Sequence, residues 1–179
     1  MVRVIMGAKG TGKTKQLIDM INHAADNEGG SVVCVEIGKK LVYDVSPKVR
    51  LVESSDFAAD NFTFLKGFIS GMYASNYDLT HVFIDSLCRI IPSEPDSPEV
   101  EEFLAWLDRF SDTNKVKFTI TISADIALAT EAIKAYFWSV PLTPQFCKEE
   151  ECPWHCVISS TPWLRKPPAR PTPPLKTEN

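Results

Sequence analysis

The stretch Gly7-Ala8-Lys9-Gly10-Thr11-Gly12-Lys13-Thr14 decides the fold. It fits the phosphate-binding pattern G-x-x-x-x-G-K-[ST] at every fixed position. Val2-Arg3-Val4-Ile5-Met6, just before it, reads as a short strand. Residues 13–25, just after it, read as a helix with Leu17, Ile18, Ile21, Ala24 and Ala25 on one face. Gly7, Gly10 and Gly12 allow backbone conformations that a Cβ would block. The loop amides can then turn inward as a nest for phosphate oxygens, with the positive end of the helix facing the anion. On this reading Gly7, Ala8, Lys9, Gly10, Thr11, Gly12, Lys13 and Thr14 form a nucleotide cradle. Lys13 reaches the β- and γ-phosphates as a point charge, and Thr14 offers its hydroxyl to Mg²⁺.

A second signature lies at His81-Val82-Phe83-Ile84-Asp85. An apolar strand carries Asp85 to the carboxyl edge of a sheet, where it can hold the Mg²⁺ water shell beside the phosphate loop. The next residue is Ser86, where many ATPases of this kind carry a glutamate that aligns and activates water. Glu36, at the end of the strand 31–37, is the substitute candidate for that base by position. Structural capping is its duller role. Arg89 is a candidate arginine finger.

Around these signatures the chain alternates strands and helices. Residues 31–37 form a near-continuous apolar run, as suits a strand buried on both faces. Residues 39–44 read as a loop or hairpin edge, and 49–52 as a short edge strand. Residues 61–76 read as a helix with Phe62, Leu65, Ile69 and Met72 inward, and with Gly67 and Gly71 placed for close packing on the sheet. Ser97-Pro98, followed by Glu99, Glu101 and Glu102, signals a helix start. Its stripe is Val100, Phe103, Leu104, Leu107 and Phe110, and Trp106 reads as core or interface. Residues 117–123 form a strand with alternating polar residues, whose carboxyl end offers Thr121 or Ser123 as a γ-phosphate sensor. Asp125 then caps a helix expected to run through Phe137, with Ile126, Ala129, Ile133 and Phe137 inward. Alternation of this kind makes a parallel sheet sandwiched by helices, with ligands at the carboxyl edge.

The 179 residues suffice for one α/β domain and an appendage. The net charge of -4 argues against general nucleic-acid binding. No apolar run is long enough to span a bilayer and no signal peptide is read, so a cytoplasmic setting is expected, with Cys34 and Cys88 as reduced thiols. The text changes after Trp138: nine of the thirteen prolines lie from Pro141 onward. The expected division is a nucleotide-binding domain over 1–138 and a Pro-rich, irregular C-terminal extension over 139–179, disordered at its end. Cys147, Cys152, His155 and Cys156 are zinc ligands by type, but they lack the paired spacing of zinc sites.

One strand intervening between the loop and the Asp85 strand resembles the ATPase division of the P-loop NTPases, the RecA-like and secretion-ATPase (ASCE) kind. At closer range, residues 1–137 resemble small bacterial ATP-binding proteins, sometimes labelled twitching-motility (PilT-type). The likeness rests on Val4-Ile5-Met6-Gly7 through Thr14-Lys15-Gln16-Leu17-Ile18 and on residues 64–71, 83–87 and 118–125. It implies ATP and Mg²⁺ as ligands, slow hydrolysis, and a protein partner or self-association that the sequence does not identify. No N/T-K-x-D element for guanine follows the strand at 118–122, which favours ATP. A nucleotide-dependent switch with negligible turnover is the alternative. A small-molecule kinase would need an Arg-rich lid, and residues 92–98 supply no Arg.

Overall fold

The chain was analysed as a computed structural model that describes residues 1–57 and 59–137. Five strands make one sheet in which every neighbouring pair is parallel. They are β1 Val2–Gly7, β2 Ser31–Glu36, β3 Arg50–Glu53, β4 Leu79–Ile84 and β5 Lys117–Ser123, in the spatial order β1-β5-β4-β2-β3. Parallel neighbours require crossovers, and four helices supply them or follow them: α1 Lys13–Asn27, α2 Phe62–Ser75, α3 Leu87–Ile90 and α4 Pro98–Asn114. A short α5, Glu131–Lys134, comes last.

Alternation along the strands sends side chains to two cores. Val32 and Cys34 of β2 and Phe83 of β4 pack with Leu17, Ile21 and Ala24 of α1, and with Leu41, Val45 and Val49 of the loop after β2. Val33, Val35, Val82 and Ile84 face the other way, onto Leu65 and Ile69 of α2 and Phe103, Leu104 and Leu107 of α4. The central strands are therefore buried on both faces, which explains their unbroken apolar text. The two long helices α2 and α4 are capped by side chains at their starts, α4 where Ser97-Pro98 predicted it. The Asn61 side chain accepts from the Phe64 amide at 2.8 Å, and Ser97 accepts from Val100 with Pro98 in the first turn. Residues 49–52 do form part of an edge strand, and it is parallel to β2.

Three expectations need correction. The strand that lies between β1 and β4 in space is β5, the last in sequence, whereas β2 and β3 are the two that intervene along the chain. The helix expected over 125–137 is broken. Asp125 caps only a single tight turn, Ile126–Leu128, and Thr130 then caps α5. Ile126 is consequently exposed rather than inward, while Ala129 and Ile133 are buried. Phe137 bridges Val4 in parallel, and the Val4 amide donates to the Tyr136 carbonyl at 2.8 Å. Completing the hydrogen bonds of β1's free edge thus overrides the helical pattern of this stretch. Finally, Gly67 and Gly71 do not pack on the sheet: a Cβ at either would meet nothing within 4 Å. The buried stripe of Phe62, Leu65 and Ile69 lies on another face of α2. The candidate zinc ligands Cys147, Cys152, His155 and Cys156, and the extension from 139 onward, lie outside the described residues. No helix among the described residues is long and apolar enough to cross a membrane.

Candidate nucleotide site

β1 delivers Gly7 to the carboxyl edge, opposite Ser123 of β5. The loop then turns on two left-handed glycines, Gly10 at φ 88° and Gly12 at φ 81°. This backbone region favours residues without a Cβ, so the pattern's second fixed glycine is required by the path of the chain. Gly7 is constrained by space instead: a Cβ there would stand 2.9 Å from Thr11 Oγ1. The Ala8 carbonyl ties the loop together. It accepts from the Thr11 hydroxyl at 2.9 Å and from Lys13 Nζ at 2.8 Å. Lys9 and Thr11 are exposed, as is Thr14 in the first turn of α1.

α1 begins directly at Gly12 with no side-chain cap and no acidic residue in its first turn. The first amides of a helix are orphan donors, and here no side chain takes them. A glycine-lined turn, uncapped amides and an ammonium folded over them form a cradle complementary to a multiply charged phosphate chain. Lys13 itself is only 6% exposed. Burial pushes its pKa down, and the negative charge of Asp85 pulls part of that back. The residues present fit a nucleoside triphosphate with Mg²⁺: a cradle of donors, one cation, the Thr14 hydroxyl and a carboxylate within electrostatic reach.

Asp85 leaves β4 at the same edge and is buried. Its amide donates to the Val35 carbonyl at 2.9 Å, which binds it to the end of β2. Its Oδ1 accepts from the Thr121 hydroxyl at 2.8 Å, and Thr121 in turn accepts from the Ser86 amide at 2.7 Å. Thr121 is therefore occupied beneath the Asp85–Ser86 turn and is not directed at a γ-phosphate; burial to 1% exposure fixes it there. Ser123 is exposed at the strand end. Ser86 holds a left-handed φ of 58°, unusual for a residue with a Cβ, and the Thr121 bond anchors that turn. Arg89 is exposed on the last turn of α3, close in sequence to this turn.

Glu36 stands beside Asp85, since Val35 pairs with Ile84 one residue earlier. Strand alternation places it on the α1 face with Cys34. Burial, then the nearby Asp85 and Glu36 charges, push the Cys34 thiol pKa far up. Glu36 is 2% exposed, and its Oε2 accepts from the Lys40 amide at 2.8 Å and the Leu41 amide at 3.1 Å. The capping role is thus realised by one oxygen. Sequence reasoning missed Glu53, the register partner of Glu36. Nothing in the text marked Glu53.

A cleft of about 410 Å³ lies between β3 and α2, lined by Arg50, Val52, Glu53, Phe57, Phe68 and Met72 among others. The phosphate loop forms an open rim, as suits a ligand gripped by main-chain donors. Comparison with known proteins places the fold. No family model matches the chain, and no curated protein matches it. Among solved structures it is similar to a KaiC-like protein from the hyperthermophilic archaeon Pyrococcus horikoshii, with a TM-score of 0.54 and 21% identity. That match covers 75% of this chain and 66% of the other, just under two thirds of its length. At this identity the likeness is one of fold. The chain has the α/β fold of the RecA-like P-loop ATPases, a parallel sheet with β5 set between the phosphate-loop strand and the Asp85 strand.

Proposed function

We propose that the chain binds ATP with Mg²⁺ at the rim of β1, β5 and β4 and hydrolyses it slowly. The observation that carries this is the loop itself: two left-handed glycines, an uncapped α1 and a buried Lys13 whose only hydrogen-bond partner among the described residues is the Ala8 carbonyl. On binding, Lys13 exchanges that carbonyl for phosphate oxygens, and the amides at the start of α1 take the remaining charge. Thr14 and Asp85 would hold the metal, which would neutralise the negative charge of the phosphate chain. Thr121 keeps Asp85 aimed. Glu36 is the base: its second oxygen, which takes no hydrogen bond among the described residues, orients a water and accepts its proton. We place the chain with the small bacterial ATP-binding proteins that residues 1–137 resemble.

One observation favours the second reading, a nucleotide-dependent switch with negligible turnover. The residue after Asp85 is Ser86, and Glu36 already spends one oxygen on loop amides. Phosphate release from ATP with Mg²⁺ separates the two. The hydrolase reading expects turnover that falls about a hundredfold or more in Glu36→Gln with ATP still bound, as loss of a general base requires. Tight binding with wild-type release no higher than that of Lys13→Ala would leave the switch.

A further inference from the structure

We infer that Glu53 is a positioning residue for Glu36, acting through the loop 38–41. This rests on the reading of Glu36 as the base. β2 and β3 end together, with Glu36 opposite Glu53. Both side chains lie on the α1 side, since Cys34 and Leu51, two residues earlier, pack there. The loop that follows β2 crosses above them and donates four consecutive amides. Gly38 and Lys39 bond Glu53 Oε2 at 2.7 and 2.8 Å, while Lys40 and Leu41 bond Glu36 Oε2 at 2.8 and 3.1 Å. The other oxygen of Glu53 accepts from both the amide and the hydroxyl of Ser55, at 3.2 and 2.7 Å.

Two buried carboxylates side by side repel each other unless donors answer both. Here the donors come from one continuous strip of backbone, so the two glutamates are held by a shared bracket. Burial raises the Glu53 pKa, but the Ser55, Gly38 and Lys39 bonds outweigh it, and the carboxyl is held below its ordinary value. The bracket also imposes a local cost. Gly38 sits at φ 93° and Lys39 at φ 49°, the second in a region that residues with a Cβ avoid. Without Glu53 to bind them, the amides of 38 and 39 have no reason to hold that turn. The next two amides move with them, and Glu36 loses the anchor that fixes its oxygens. Leu41, buried at 1% exposure against α1, ties the far end of the bracket to the nucleotide helix. Glu53 touches no reacting atom on this account; it sets where Glu36 stands.

The test uses the full chain as wild type, Glu53→Ala and Glu53→Gln. Three quantities are read: phosphate release at saturating ATP and Mg²⁺, ATP affinity by calorimetry, and amide hydrogen exchange at Lys40 and Leu41. Glu53→Ala is expected to lower kcat about tenfold or more while ATP affinity stays within about twofold. The Lys40 and Leu41 amides, which Glu53 does not contact, are expected to exchange faster in the same variant. Glu53→Gln keeps an acceptor oxygen for Gly38 and Lys39 and is expected to recover most of both. Unchanged kcat with unchanged exchange at Lys40 and Leu41 in Glu53→Ala overturns the inference. So does a parallel loss of kcat and affinity with faster exchange across the whole sheet, which would mark a general structural role. If wild type releases no phosphate, the hydrolase reading falls on its own, and exchange at Lys40 and Leu41 still decides for or against the bracket.

Discussion

Thr121 illustrates how a residue's chemistry depends on what it faces. From the sequence it is a polar residue near a strand end, available to a phosphate. In the fold its hydroxyl donates to Asp85 and accepts from Ser86, so it holds the Asp85 carboxylate and the turn that follows it instead. Thr121→Val keeps the shape and removes both bonds, leaving the Ser86 amide unanswered in a buried setting at a cost of about 1–3 kcal/mol. It is expected to raise the Mg²⁺ concentration needed for half-maximal ATP binding about tenfold, whereas Thr121→Ser stays within about twofold. Equal Mg²⁺ requirements in wild type and Thr121→Val would contradict the role given to this hydroxyl. The places of Lys13 and Asp85 at the carboxyl edge were legible, the first from the phosphate-loop spacing and the second from an apolar strand ending in an acid. Glu53 was not, because its partners lie 14 and 15 residues away and are brought to it only when β2 and β3 pair.

Between elements, the amino edge of the sheet carries a buried polar link that the nucleotide site does not use. His81 of β4 bonds Glu28, just past α1, at 3.1 Å through Nδ1 and Thr119 of β5 at 3.0 Å through Nε2. Lys117 bonds the same Glu28 oxygen at 2.9 Å. A neutral imidazole satisfies both contacts, with Nδ1–H donating to the carboxylate and Nε2 accepting from the hydroxyl. Burial pushes the His81 pKa down to about 4, against the weaker upward pull of Glu28. The unfolded chain protonates this histidine near pH 6.5, about its ordinary value, while the fold refuses the proton until about pH 4. Stability is therefore fully present above pH 6.5 and falls as pH drops toward 4. Burial alone would raise the Glu28 pKa, but the Lys117 and His81 bonds outweigh it, so its contribution is lost in the same direction, at lower pH. Urea midpoints are expected to decline between pH 7 and 4.5, and His81→Gln should flatten the upper part of that decline. A wild-type midpoint constant across this range would contradict the assignment. Elements with long periodic text, α1, α2 and α4, were readable, and α4 also by the Ser97-Pro98 signal at its start. The stretch 125–137 was not, because its apolar spacing satisfied a helix while the free edge of β1 claimed its backbone.

At the scale of the molecule, alternation of strands and helices was enough to give a parallel sheet with its ligand edge at the strand ends. Spatial order was not readable in that way. That β5 lies between β1 and β4 depends on which edges pair, and parallel pairing leaves no turn in the sequence to mark it. Yet this order brings Thr121 under Asp85 and Ser123 against Gly7, so the site's geometry follows from the one feature the text concealed. The phosphate loop, Asp85 and Glu36 come from β1, β4 and β2, and converge only because all their carboxyl ends point one way. Calorimetric titration of ATP with Mg²⁺ into wild type and Lys13→Ala tests this account most directly. It predicts saturable binding to wild type and an affinity lower by about ten- to a hundredfold in the variant, about 1.4–2.8 kcal/mol. No heat of binding to wild type, or equal affinity in both proteins, would contradict it.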